Sequence, residues 1–387
     1  MMIPISYNIK NVLARRFTST LTALGIALVV FVFADVLMLS HGLEKTLVDT
    51  GSDDNVIVIR KSSQTEIQSS LTREQANLII NNPEIAVSRG GEPMVAKETV
   101  ILITLPKKST GAMSNVTVRG TGENGMSLRP QVKIKSGRAW QKGLREIIVG
   151  SSIHKNFLGV ELGATIRFSG QDWKVVGIFD AQNSGFDSEI WGDSEQIMSA
   201  FRRPVYSSVT MRLRAVSDFE ALKERIEADQ RLTAEIKRER VYYAEQSEVF
   251  STFIKFLGLT ITIIFSLGAT IGAMITMYAS VGARTGEIGT LRAIGFRRRS
   301  ILMAFMIECL FLSLSGGIIG LAAASFMQLI TVSTMNFQTF SEIAFKFELS
   351  PRIAFQSMLF AVIMGFIGGV LPAFKASRTN IVTALRS

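Results

Sequence analysis

Cysteine and histidine are nearly absent from this chain. Its 387 residues include one cysteine, Cys309, and two histidines, His41 and His154. A lone cysteine excludes an intrachain disulfide framework and a thiolate-rich metal site. Two histidines far apart in sequence argue against a histidine-based metal centre or proton relay. Charge is scarce too: 19% of residues are Asp, Glu, Lys or Arg, against about 25% in ordinary soluble domains. The chain contains no Gly-Lys dipeptide. That excludes the phosphate-cradling Walker loop, which needs Gly-Lys followed by Ser or Thr. No basic-aromatic module of the RNA-binding kind occurs, so no nucleic-acid partner is indicated. No catalytic constellation is visible, which counts against a membrane enzyme.

Apolar residues, by contrast, make up 47% of the chain, and the mean hydropathy is +0.30. Such a composition excludes disorder. Four runs reach the ~20 apolar residues that a bilayer crossing needs. They are Leu21–Leu39, interrupted by Asp35; Phe256–Tyr278; Ile301–Ile330, interrupted by Glu308; and Ile353–Phe374. Buried helices of soluble proteins are usually shorter and keep a polar stripe; Leu259–Ala273 and Phe360–Val370 have none. The first run follows Lys10, Arg15 and Arg16 and resembles a signal peptide as far as Ala34, but it continues through Leu39, beyond a usual signal core.

The wet segments between these runs differ in charge. Met1–Phe17 carries three basic residues and no acid, Val281–Ser300 five basic residues against Glu287, and Lys375–Ser387 three basic residues. His41–Phe250 holds 28 basic and 27 acidic residues, and the 331–352 loop is balanced. Basic excess on every second segment is the positive-inside pattern. It puts both termini and the 281–300 loop in the cytoplasm and His41–Phe250 outside. The pI of about 9.8 then reflects membrane orientation.

His41–Phe250 is long enough for its own core. Strand-like runs occur at Asn55–Arg60, Val95–Leu105, Asn115–Gly120, Glu146–Gly150, Trp173–Phe179 and Ser207–Leu213. Capping-box spacings predict helices near Thr72–Asn81 and Ser217–Arg231. The expected fold is an α-helical membrane protein with four transmembrane helices (18–40, 252–280, 301–330, 353–374). A large α+β extracytoplasmic domain (41–250) is inserted between helices 1 and 2. Glu44–Val48 and Val241–Phe250 would extend the flanking helices into a two-helix stalk.

Three features bear on function. Asp35 and Glu308 are ionisable groups inside spans, which are functional candidates by default. Leu314-Ser315-Gly316-Gly317 spells the start of a nucleotide-binding signature but lies within a span; Gly316, Gly317 and Gly320 are better read as close helix-packing positions. Gly268/Gly272 and Gly365/Gly368/Gly369 invite the same reading. Arg284–Ser300 reads as a short amphipathic helix with Ile288, Leu291 and Ile294 at helical spacing. Gly295 sits at its C-terminal cap, and arginines follow, near the negative helix end.

These residues carry a family resemblance. Arg284, Glu287, Ile288, Gly289, Leu291, Arg292, Ala293 and Gly295 match the Arg-x-x-Glu-Ile-Gly-x-Leu-Arg-Ala-x-Gly loop of the permease family that includes MacB, LolC/LolE and FtsX. Pro372, Ala376, Ser377, Ala384, Leu385 and Arg386 match its C-terminal tail, although Ile381-Val382 stands where members commonly have Pro. The chain therefore resembles a four-span ABC transporter permease of the bacterial inner membrane. The resemblance implies two copies of a separate ATPase subunit, which would bind ATP and Mg and dock on the 284–295 helix, and a permease homodimer. It implies a porter-like lobe (about 50–122 with 206–240) and an inserted lobe (about 123–205). It also brings a periplasmic adaptor and outer-membrane channel as possible partners, besides membrane lipid. The implied function is transmission of ATPase motion to the periplasmic domain for export or extraction of a substrate, by efflux or from among lipoproteins or lipids. FtsX-like control of an outside enzyme is the alternative.

Overall fold

The computed structural model describes residues 14–88, 90–336 and 338–379. In chain order the elements are α1 (Arg16–Val48), β1 (Asn55–Arg60), α2 (Arg73–Ile79), β2 (Val95–Pro106), β3 (Met113–Thr121), α3 (Gly125–Leu128), β4 (Lys133–Gly137), β5 (Glu146–Gly150), α4 (Ser151–Asn156), β6 (Thr165–Phe168), β7 (Gln171–Asp180), β8 (Glu189–Asp193) and α5 (Ser194–Ala200). They continue as β9 (Ser208–Arg212), α6 (Phe219–Ala228), β10 (Ala234–Arg238), α7 (Glu239–Ala283), α8 (Thr285–Ala293), α9 (Arg298–Ser325), β11 (Thr331–Met335), β12 (Glu342–Lys346) and α10 (Pro351–Arg378). Two compact units result: 1–41 with 252–330 and 347–387, and 42–251 with 331–346.

Helices α1, α7, α9 and α10 are each long and apolar enough to cross a membrane. At 1.5 Å per residue α1 is about 50 Å long and α7 about 68 Å, well beyond a ~30 Å hydrocarbon core. Both run through the boundary between the units. Helix α9 ends at Ser325, followed by a 3₁₀ turn over Phe326–Leu329. Small residues set the packing of the helical unit. A Cβ on Gly316 or Gly320 would lie 2.6 Å from the Ala23 carbonyl oxygen or 2.4 Å from that of Ala27 on α1. A Cβ on Gly365 or Gly369 would strike Ser313 and Cys309 on α9, and one on Gly317 would meet Ala361 on α10 at 2.9 Å. A Cβ on Gly268 or Gly272 of α7 would meet nothing within 4 Å among the described residues.

The α+β unit is organised by one sheet in the order β10-β1-β9-β2-β3-β8-β5-β7-β4, with β6 on β7. Pairing is antiparallel except for β3/β8 and β5/β7. Thr72 caps α2 through the full capping box, accepting from the Gln75 amide while the Gln75 side chain accepts from the Thr72 amide. The second predicted box is not formed. Ser217 lies in a 3₁₀ turn and donates to Asp218, and α6 starts two residues later. One apolar core packs β1, β9 and β10 against α2 and α6, with Val56, Val209, Leu222 and Ile236 buried. A second gathers β3, β5, β7 and β8 around Trp173 and Phe157. The 331–352 connection, expected as a loop, contains the β11–β12 hairpin.

A buried ionic network joins the elements of this unit. Arg119 on β3 donates to Glu189 on β8 (2.8 and 2.9 Å), to Glu66 (2.8 and 2.9 Å) and to Glu98 on β2 (2.9 Å). Arg129, after α3, pairs with Glu98 through both terminal nitrogens and reaches Glu239, the first residue of α7. Thr121, Ser208, Asn55 and the Trp191 indole add donors to Glu98, Glu66, Glu239 and Glu189 in turn, at 2.6–2.9 Å. The Phe186 ring lies 5.3 and 4.7 Å from the two guanidinium carbons. Burial alone would raise the Glu98 carboxyl, but Arg129 and Arg119 outweigh it and hold Glu98 down to about 2. Burial raises Glu239, with Arg129 opposing.

Two outcomes are expected. Arg129→Ala leaves Glu239 in the interior without its arginine and Glu98 with Arg119 alone, and breaking a buried pair costs about 3–5 kcal/mol; denaturant unfolding of the purified full chain measures it. Glu98 is held below its ordinary 4.5, so its contribution is fully present above that value and is lost as pH falls from about 4.5 toward 2. Thermal scans across that window show the loss, and Glu98→Gln reduces the pH dependence there.

Candidate functional site

The segment 284–296 comprises α8 and its caps, between the two transmembrane helices α7 and α9. Three features fix its ends. Arg284 occupies the N-terminal cap position, without a side-chain cap bond of its own. Glu287 sits in the first turn, where a negative charge suits the helix dipole. At the other end, the Gly295 amide donates to the Arg292 carbonyl and the Phe296 amide to the Leu291 carbonyl, the double closure of a Schellman motif. Gly295 has φ +105°, a value that strains any residue with a Cβ.

Arg284 is the hub of the site. It donates from Nη1 to Glu308 on α9 at 3.1 Å and from Nε to Glu287 at 3.0 Å, and its guanidinium lies 5.2 Å from the Phe305 ring centre. Arg284 and Glu308 are 8% and 4% exposed, so this pair is sheltered from water, whereas Glu287 remains over half exposed. Arg292 donates to the Thr379 carbonyl at 2.9 Å, tying α8 to the end of α10. Ile288 packs with Met277, Val281, Ile301, Phe305 and Ala373.

The expected site residues therefore divide. Arg284 and Glu308, 24 residues apart, come together. Ile288 and Gly289 point into the helical unit and Leu291 is half-buried; these residues seat the helix. Ile294 does not share the buried face predicted for it: it is 71% exposed, because the Schellman turn follows it directly. Gly286, Glu287, Thr290, Ala293 and Ile294 form the outward stripe of α8. Asp35 lies apart on α1, half-buried, its Oδ1 without a hydrogen-bond partner among the described residues. Of the tail residues, Pro372, Ala376 and Ser377 are buried in α10; Ala384, Leu385 and Arg386 lie outside the described residues. The Arg284–Glu308 pair was not legible in sequence. A lone acid two turns into a span was the only sign of it.

Four membrane-crossing helices with an α+β domain between the first two, and a short helix between the second and third, define a multi-pass permease. Residues 19–229 match the MacB-like periplasmic core domain family, and residues 259–381 match the FtsX-like permease C-terminal family. The chain belongs to the MacB-like family of ABC transporter permeases. It is 25% identical over 397 residues to the ABC transporter permease YknZ of Bacillus subtilis, covering 98% of this chain and 97% of YknZ. It is 26% identical over 399 residues to the macrolide export ATP-binding/permease protein MacB of Escherichia coli, and 22% identical over 404 residues to that of Neisseria gonorrhoeae. The chain spans 60% of the length of each of these MacB proteins. Among solved structures, the extracellular domain of YknZ aligns with 47% of this chain and 99% of its own, with TM-score 0.36 and 14% identity. The periplasmic region of MacB from Actinobacillus actinomycetemcomitans aligns with 50% and 92%, with TM-score 0.38 and 14% identity.

Glu308→Ala removes the buried acid partner of Arg284 and leaves the exposed Glu287 on its Nε. The expected outcome is a loosened α8, read as faster amide exchange across 285–295 in the purified full chain. Glu308→Gln, which still accepts the hydrogen bond, is expected to retain more protection than Glu308→Ala.

Proposed function

We propose that this chain is the permease subunit of an ABC transporter that passes ATPase motion across the bacterial inner membrane to an outer domain. The exposed stripe of α8, fixed to α9 by Arg284–Glu308 and to α10 by Arg292–Thr379, carries this reading. A short helix with its inner face locked to two spans and its outer face bare suits a docking element that must not swivel when pushed. Glu287 gives the ATPase subunit a charge to recognise, and Ile294 an apolar contact. ATP and Mg would bind in that partner, two copies of which would serve two copies of the permease.

The basic excess of residues 1–17, 281–300 and 375–387 supports a cytoplasmic α8 and an α+β unit outside. Helices α1 and α7 run without interruption into the α+β unit, so a displacement at their inner ends need not be absorbed by a loop. Gly268 and Gly272 lie four residues apart on α7 with open space beside them, which suits close approach by a helix of a second copy. The chemistry of this route is mechanical: work on an exported or extracted substrate is done at the outer domain, where an adaptor leading to an outer-membrane channel would also engage. The relation to the permease YknZ over 98% of this chain and 97% of YknZ supports an ATPase supplied by another polypeptide.

The deciding experiment is co-purification with the cognate ATPase, followed by hydrolysis assays in lipid. Glu287→Lys, which reverses the exposed charge and removes the Arg284 Nε acceptor while Glu308 still holds Arg284 Nη1, is expected to abolish ATPase capture and permease-coupled hydrolysis. Survival of both overturns the docking assignment.

A further inference from the structure

The connection between α9 and α10 is more elaborate than two adjacent spans require. It folds into two five-residue strands, and it clusters with the α+β unit rather than with the helices it joins. Ile343, Ala344 and Phe345 are buried to 5%, 5% and 2% exposure. The Ala344 amide donates to the Ser188 hydroxyl at 3.0 Å, and Asn115 Nδ2 donates to the Phe340 carbonyl at 3.0 Å. Glu342 is the anchor. Its Oε2 receives Lys107 Nζ at 2.6 Å and Ser114 Oγ at 2.7 Å, from the hairpin of β2 and β3. The residue is 5% exposed. A carboxylate is costly to desolvate unless it is paired, so its placement specifies the Lys107 partnership, where an apolar residue would only fill space.

The two helices that enter this hairpin are those that hold α8. Helix α9 carries Glu308 and α10 ends at the Thr379 carbonyl that Arg292 engages. The pair is locked along its length by Gly317 on Ala361, Gly365 on Ser313 and Gly369 on Cys309. A Cβ at any of these three positions would clash, so the glycines let the two helices pack closely along their length.

We propose that α9 and α10 form a second output arm, distinct from the α1–α7 stalk, which ends in a clasp between Glu342 and the Lys107–Ser114 edge of the α+β unit. The proposal rests on α8 being the docking helix. Motion entering at α8 then reaches the outer unit by two routes, through α1 and α7 and through the clasped hairpin. Two attachments transmit a rotation that a single one could not. Lys107 and Glu342 are positioning residues: they touch no substrate and keep the second arm attached while the first moves.

The test is hydrogen exchange on the full chain with its ATPase in lipid, with and without a non-hydrolysed ATP analogue. Wild-type protein is expected to show nucleotide-dependent exchange differences in 95–121 and 331–346. Lys107→Glu places two acids together and is expected to abolish those differences while ATPase capture persists. The swap Lys107→Glu with Glu342→Lys is expected to restore them, which a merely misfolded variant would not do. Lys107→Glu that captures the ATPase and keeps the nucleotide-dependent differences overturns the clasp alone. A swap that fails to rescue overturns it as well. A wild-type chain that captures no ATPase overturns the docking reading and the second arm with it.

Discussion

Two arginines in the interior of the α+β unit, Arg119 and Arg129, hold its parts in register. A guanidinium out of water is tolerable only when its donors find oxygen, and here the oxygens come from every direction: Glu98 on β2, Glu189 on β8, Glu66 from the loop after β1, and Glu239 at the head of α7. Each strand that drifts strands a charge. The sheet, assembled from segments far apart in sequence, thereby gains a single permitted arrangement. Because Glu239 is the first residue of α7, the same network fixes the root of a helix that continues through the membrane-crossing region. Gly51 seals the junction: a Cβ there would lie 2.5 Å from the Arg240 amide nitrogen.

A related device recurs at the other end of the same helix. Arg284 follows the last turn of α7 and sits between Glu287 and Glu308, a charged group held in a sheltered place by specific partners. Both ends of α7 are thus pinned by ion pairs, while its middle is held by apolar contact and faces outward at Phe256, Ile264, Leu267 and Ile275. Ionic contacts are directional and apolar ones are not. A helix pinned in this way keeps its ends oriented even when its flanks meet lipid or another helix. In the proposed function, orientation at the ends would matter more than grip along the shaft.

Sequence and tertiary structure contributed different things. The sequence alone determined the four spans, the neutral insertion, the basic wet segments, most strands of the insertion and the short helix around Glu287-Ile288-Gly289, since each depends on local composition or on periodicity within one element. Strand β1 and strand β5 fall on their predicted limits for that reason, and Thr72 builds its cap from neighbours three residues away. Only the tertiary structure decided which charges meet. Nothing in the spacing of Arg119, Arg129 and the four glutamates sets them apart from other charges of a near-neutral domain. Nor does Glu342 differ in sequence from an ordinary loop acid. Ion pairing across 21 to 235 residues of chain is a property of the folded sheet and bundle, because a charge has no periodicity to betray its partner and is stabilised only by what the fold brings within hydrogen-bond reach.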